Sequence, residues 1–221
     1  MSSGRIQFEA NGAEQVGYVS GSGPGIIVIQ EWWGLVDHIE RVTDRFAAAG
    51  FTAFAPDFYQ GVATAEPDEA SSMMMALQIE HAERVIRGAV SALLSRSECS
   101  SKSVGIVGFC MGGQLAMFGA CLDKRISACV NFYGVHPHVS PAFEQLEAPI
   151  LGHFAARDHM TTPDVVAQLD RKLTELNKPH EFHSYDADHA FFNDDRLEVY
   201  DAEAATLAWD RTLKFFRDHV Q

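Results

Sequence analysis

The sequence predicts an α/β domain built on a mostly parallel, twisted β-sheet with helices on both faces. Three observations predict it. Apolar runs alternate with amphipathic stretches almost from end to end, as chained strand–helix units require. The run Ile26–Ile29 is apolar at every position, the mark of a strand covered on both faces. A chain of 221 residues, 47% hydrophobic and 21% charged, fills one sizeable core and is short for two. With no linker, internal repeat or low-complexity tract, residues 1–221 read as a single domain.

Each element has its own signal. Ile6–Phe8 and Val16–Val19 read as short strands joined by the turn Asn11-Gly12, a dipeptide that accepts the positive φ a tight hairpin demands. After the strand Ile26–Ile29, Asp37-x-x-Glu40 reads as a capping box. It opens a helix with the stripe Ile39, Val42, Phe46 and Ala49, stopped by Gly50. Phe51–Ala55 is the next strand. Tyr59 to about Pro67 lacks periodicity and reads as a loop, followed by one long helix with Ala82, Val85, Ile86, Ala89 and Leu93 on a single face. Strand Val104–Val107 leads through glycine into an apolar helix, Met111–Leu122. Ser127–Phe132 and Ile150–Ala155 are buried strands. Thr162 as N-cap and Pro163 at the first turn announce a helix, and His180–Tyr185 alternates as the last strand. The closing helix turns Ala205, Trp209, Thr212, Phe216 and Val220 inward.

Charge excludes some partners. Seventeen Lys and Arg against 30 Asp and Glu leave −13, a field that repels phosphate backbones and anionic lipid. No nucleic-acid or membrane partner is expected. No apolar run approaches a membrane span, and Met1–Arg5 lacks the apolar start of an export signal, so a cytoplasmic, monomeric protein is expected. The four cysteines, Cys99, Cys110, Cys121 and Cys129, form no C-x-x-C pair, and a chain this size needs no disulfide staples. His180 and His183 with His189, or His153 with His159, match no zinc spacing. Gly21-Ser22-Gly23-Pro24-Gly25 precedes a strand instead of following one, so it is no dinucleotide fingerprint. Neither metal nor cofactor is expected.

One cysteine stands apart. Gly108-Phe109-Cys110-Met111-Gly112-Gly113 lies directly between a buried strand and an apolar helix. A side chain at such a turn is lifted above the sheet, and glycine two residues before and after leaves room for the crossing backbone. This is a nucleophile elbow, G-x-S-x-G, with cysteine in the serine position. The N-terminal N–H groups of the helix that follows favour a thiolate and a developing oxyanion. A thiol nucleophile needs a base, and the base an orienter. Asp158 follows the strand ending at Ala155, and His189 follows the strand ending at Tyr185, both at the carboxyl edge where such groups gather. Asp186 and Asp188 are rival acids beside the histidine. The set Cys110, Asp158 and His189 follows the order nucleophile, acid, histidine.

With these residues in view, the chain resembles the dienelactone hydrolase (carboxymethylenebutenolidase) family of the α/β-hydrolase fold. The resemblance runs through most of the chain. It rests on Gln30-Glu31 before Gly34, Pro56-Asp57-Phe58-Tyr59, Gly105 to Gly113, Phe132-Tyr133-Gly134-Val135, Asp158-His159 and Asp188-His189-Ala190-Phe191. It implies that Glu31 contacts the cysteine in the resting enzyme and quiets its thiol. It also implies an oxyanion hole made by the main-chain N–H groups of Met111 and Trp32.

The sequence departs from the family where the family holds a substrate carboxylate with two arginines. No Arg or Lys lies between Asp57 and His81, and the position four residues past His189 is Asn193. Ser71-Ser72-Met73-Met74-Met75 occupies the first segment instead. Its methionines are expected in helix core, with an acyl pocket as the alternative. The expected activity is cleavage of a small-molecule ester or lactone through an acyl-thioester on Cys110, with neutral substrates turned over at least as well as anionic ones. The rivals are a thioester hydrolase or acyltransferase using the same three residues, and a redox-sensing or binding module built on a hydrolase scaffold.

Overall fold

In the computed structural model, which describes residues 3–136 and 139–221, an eight-stranded sheet forms the centre of the molecule. The chain runs β1 (Gly4–Ala10), β2 (Ala13–Gly21), β3 (Gly23–Ile29), α1 (Asp37–Ala48), β4 (Thr52–Pro56), α2 (Pro67–Ala76) and α3 (Ile79–Leu94). It continues through β5 (Cys99–Phe109), α4 (Met111–Leu122), β6 (Ile126–Phe132), β7 (Ile150–Ala155), α5 (Pro163–Glu175), β8 (His180–Tyr185) and α6 (Ala202–His219). The strand order is β1-β2-β4-β3-β5-β6-β7-β8. Strands β1, β2 and β4 pair antiparallel, and every pairing from β4 through β3 to β8 is parallel.

The packing follows the apolar stripes. Helices α1 and α6 cover one face, with Ile39, Val42, Phe46 and Phe216 against Ile26, Val28, Val107 and Val130. Helices α3, α4 and α5 cover the other, with Val85, Ile86, Ala89, Leu115 and Leu173 against Ile27, Ile29, Ile106 and Ile150. Alternate residues of β3 thus enter opposite cores, as a two-sided strand must. Among the described residues no helix is long and apolar enough to cross a membrane.

The architecture agrees with the sequence reading, and some local expectations need correction. Asp37 does not cap α1. It is already the first helical residue, Val36 sits at the cap without a side-chain hydrogen bond, and Asp37 and Glu40 act in the first turn, where a carboxylate favours the positive end of the dipole. Thr162 does occupy the cap of α5, but its side chain makes no capping bond. The single long helix after Pro67 is two helices: Leu77 and Gln78 take extended conformations (φ −66°, ψ 111° and φ −76°, ψ 133°) and break the ladder. The start of α2 was legible, because Pro67 lies in its first turn with Asp68 and Glu69 behind it. Its methionines are not core either. Met75 is 62% exposed, and only Met74 packs against the core from its edge.

Candidate active site

The parallel strands end on one edge, and the chemistry-bearing residues leave from that edge. Cys110 is the hinge between β5 and α4, with φ 54° and ψ −119°. A non-glycine residue at such angles is strained and is held there by its surroundings. The flanking glycines explain how. A Cβ on Gly108 would lie 1.9 Å from the Gly112 carbonyl oxygen, and a Cβ on Gly112 would lie 2.4 Å from that of Gln30. The strand, the turn and the first turn of α4 therefore touch backbone to backbone. Cys110 is 9% exposed, and its N–H donates to Phe132 O at 3.0 Å.

The other cysteines have different surroundings. Burial pushes the Cys121 thiol up to about 12 and raises that of the fully buried Cys129 as well. Both stay protonated and inert. Cys99 is half-buried beside Ser101.

Asp158 and His189, 31 residues apart, meet above β7 and β8. His189 Nδ1 lies 2.7 Å from Asp158 Oδ2, and the aspartate side chain is wholly buried. Asp158 Oδ1 accepts from the main-chain N–H groups of Met160 and Thr161 at 2.7 and 2.8 Å. Three donors thus fix the carboxylate. The rival acids are engaged elsewhere: Arg157 pairs with both Asp186 and Asp188 at the surface.

Among the described residues His189 Nε2 is buried without a hydrogen-bond partner. Burial lowers the pKa of this ring, but the hydrogen bond to Asp158 and the neighbouring Cys110 raise it to about 10. At neutral pH the imidazolium is favoured.

Glu31, immediately beyond β3, is 2% exposed. Its Oε2 accepts from Asn193 Nδ2 at 2.6 Å and its Oε1 from Tyr133 Oη at 3.4 Å. Among the described residues these two donors, and no hydrogen bond from Cys110, hold the carboxylate. Burial and the neighbouring Glu31 and Cys110 raise the Tyr133 phenol well above its ordinary value, so Tyr133 remains a donor. Asn193 stands where the sequence lacks the family's arginine, and it supplies a neutral amide to the same acid. Arg196 pairs with Glu198 and lies over the Trp33 ring at 5.6 Å.

Met111 is the first residue of α4, where the N–H has no intrahelical acceptor, and Trp32 directly follows Glu31. Tyr59 Oη reaches Met111 Sδ at 3.2 Å. Sequence reasoning assigned no role to Tyr133 or Thr161. Thr161 Oγ1 donates to Tyr133 O at 3.0 Å and ties the Asp158 loop to the loop after β6. Tyr133 has φ 43°, but a lone Phe-Tyr-Gly carries no signal of that strain. Three further histidines have structural partners: His153 is fully buried between Tyr185 Oη and Thr212 Oγ1, His180 meets Asp170, and His183 meets Glu181.

With the geometry in hand, comparison decides the family. Residues 13–220 match the model of the dienelactone hydrolase family. The chain belongs to the dienelactone hydrolase family. It is 35% identical to "Protein usf" of Aquifex pyrophilus, across 97% of this chain and 98% of that one. It is 31% identical to the "Putative carboxymethylenebutenolidase" of Aquifex aeolicus (strain VF5), across 98% of each. A solved structure, the "Putative Dienelactone Hydrolase" from Klebsiella pneumoniae subsp. pneumoniae MGH 78578, superposes with a TM-score of 0.84 at 27% identity, covering 98% of both chains. The fold is the α/β-hydrolase fold, and membership of the dienelactone hydrolase family makes the chain an ester or lactone hydrolase.

Proposed function

We propose that the hydrolysis runs through an acyl-thioester on Cys110, with His189 as the proton carrier and Asp158 as its orienter. The observation that carries the reading is the 2.7 Å contact between His189 Nδ1 and Asp158 Oδ2, with Nε2 left unpartnered beside the strained cysteine turn. Asp158 fixes the tautomer in which Nδ1 bears the hydrogen, so Nε2 is the atom that exchanges a proton with sulfur. The raised pKa of the ring makes Nε2 a stronger base toward the thiol.

The Cys110 thiolate attacks the carbonyl carbon, and the C=O electron pair moves to oxygen. The N–H groups of Met111 and Trp32 receive this oxyanion, a charge that exists only along the reaction path. As the C–O bond breaks, the departing alkoxide or enolate takes the proton from His189 Nε2. Water then attacks the thioester, giving its proton to Nε2, and the second collapse returns thiolate and free acid. Every step uses side chains and main-chain amides of this chain. Glu31 is held by Asn193 and Tyr133, and both Glu31 and Cys110 act on the Tyr133 phenol.

The substrate class follows from what surrounds the site. A small neutral ester or lactone meets no requirement for a cation. One observation supports a second reading: the groove of about 350 Å³ beyond Tyr59 carries Arg84 and His81, a cationic neighbour for an acidic substrate.

One panel tests both points. A chromogenic ester should give a burst of one product equivalent per site, and Cys110→Ala should abolish the burst and lower kcat by about three orders of magnitude or more. Full turnover by Cys110→Ala refutes the nucleophile. Comparing a carboxylate-bearing lactone with its methyl ester decides the substrate charge. A kcat/KM at least tenfold higher for the acid would assign the Arg84 groove and overturn the neutral reading.

A further inference from the structure

Helix α2, which the amphipathic pattern merges into α3, builds one wall of a cavity beside the cysteine turn. The cavity holds about 240 Å³ and is lined by Met74, Met75, Leu77, Met111, Leu115 and Val139, among others. Met111, Gln114 and Leu115 reach it from one face of the first turns of α4, the spacing i, i+3, i+4. The amide in this wall is already satisfied: Gln114 Nε2 donates to Val139 O at 2.6 Å, and its Oε1 accepts from His136 N at 3.2 Å. Apart from His136 the rest of the lining is apolar, and three of its side chains are methionines, which reshape to irregular partners at small cost.

We infer that this cavity is the acyl subsite and that it selects a short, unbranched, uncharged aliphatic acyl chain. The inference rests on the Cys110 reading above and adds the direction and chemistry of the bound group. The leaving group must face His189 Nε2 to collect its proton, so it occupies the side built by the loop after β8. The acyl chain then lies on the opposite side of the carbonyl, toward α4 and α2. No residue of the His189 loop lines the cavity, and the residue adjoining Cys110 does. The volume is smaller than the roughly 300–1,000 Å³ of sites that enclose drug-sized ligands, which suits a chain better than a ring system. Met75, 62% exposed at the rim, gains cover when such a chain arrives.

The test is a series of p-nitrophenyl esters from acetate to octanoate, in which only the acyl chain varies. Expected is a kcat/KM that climbs by two- to fourfold per methylene, the gain from burying one, to about hexanoate and then levels. Met75→Trp fills the cavity and should cut the hexanoate-to-acetate ratio about tenfold. Met74→Ala enlarges it and should move the optimum to longer chains, so the inference does not depend on one variant folding. A flat profile, or a preference untouched in both variants, overturns the subsite. The failure of the underlying reading looks different: ester turnover is absent or survives Cys110→Ala. Labelling of Cys110 by N-hexyl iodoacetamide relative to iodoacetamide reads the cavity without turnover. A preference for the hexyl reagent that falls in Met75→Trp supports the subsite, and equal rates overturn it.

Discussion

Replacing Asp158 with Asn removes one charge and almost no volume, so its consequences can be worked out from the hydrogen bonds. Oδ1 accepts two main-chain N–H groups, so the amide oxygen of Asn must stay there. The NH₂ group is then aimed at His189 Nδ1, which can only accept. The ring's hydrogen moves to Nε2, and the atom facing the cysteine can no longer take a proton. The charge effect adds to this. Raising that imidazole from 6.5 to about 10 favours its charged form by roughly 5 kcal/mol. If Asp158 supplies half of that, the ring holds its proton about 50–60-fold less tightly in the variant. Tautomer and charge together should lower kcat/KM by about 10³–10⁴, and the alkaline limb of the profile should move from near pH 10 down by at least one pH unit.

Stability follows the same proton. Because the folded value lies above the ordinary one, its contribution is complete below about pH 6.5 and drains away as the pH climbs through about 10. The Tm gap between wild type and variant should narrow over that window. Stopped-flow hydrolysis of p-nitrophenyl acetate from pH 5 to 11, with Tm measured in the same buffers, reads both effects. A loss of less than tenfold with an unmoved alkaline limb would refute the assignment of Asp158.

Gly112→Ala should destabilise the fold by about 4 kcal/mol or more, because the new Cβ meets the carbonyl oxygens of Gln30 and Ile29 at 2.4 and 2.6 Å. A urea midpoint within error of wild type would show that α4 and β3 are not in that contact. Asn193→Leu leaves the buried Glu31 without its 2.6 Å amide donor. It should cost about 2–3 kcal/mol, or roughly 5–10 °C in Tm, whereas an unchanged Tm would mean that Glu31 is held by something else.

The sequence by itself determined most of the architecture and the cysteine turn. Fully buried strands such as Ile26–Ile29 must be apolar at every position, and the stripes of α1, α3 and α6 repeat at helical spacing, so periodicity alone recovers them. The turn was legible because Gly108 and Gly112 are imposed by backbone contacts that admit no other residue. His189 and Asp158 were legible through their positions after successive strands in the order nucleophile, acid, histidine, and the structure adds that Arg157 takes the rivals Asp186 and Asp188. The break at Leu77-Gln78 carries no glycine or proline, since tertiary packing and not local propensity sets it. The clamp of Asn193 and Tyr133 on Glu31 joins residues 162 and 102 positions apart. No spacing rule reaches across such separations, because they are set by where strands end in the finished sheet. The apolar cavity has the same origin, lying between helices that meet only once the chain has folded.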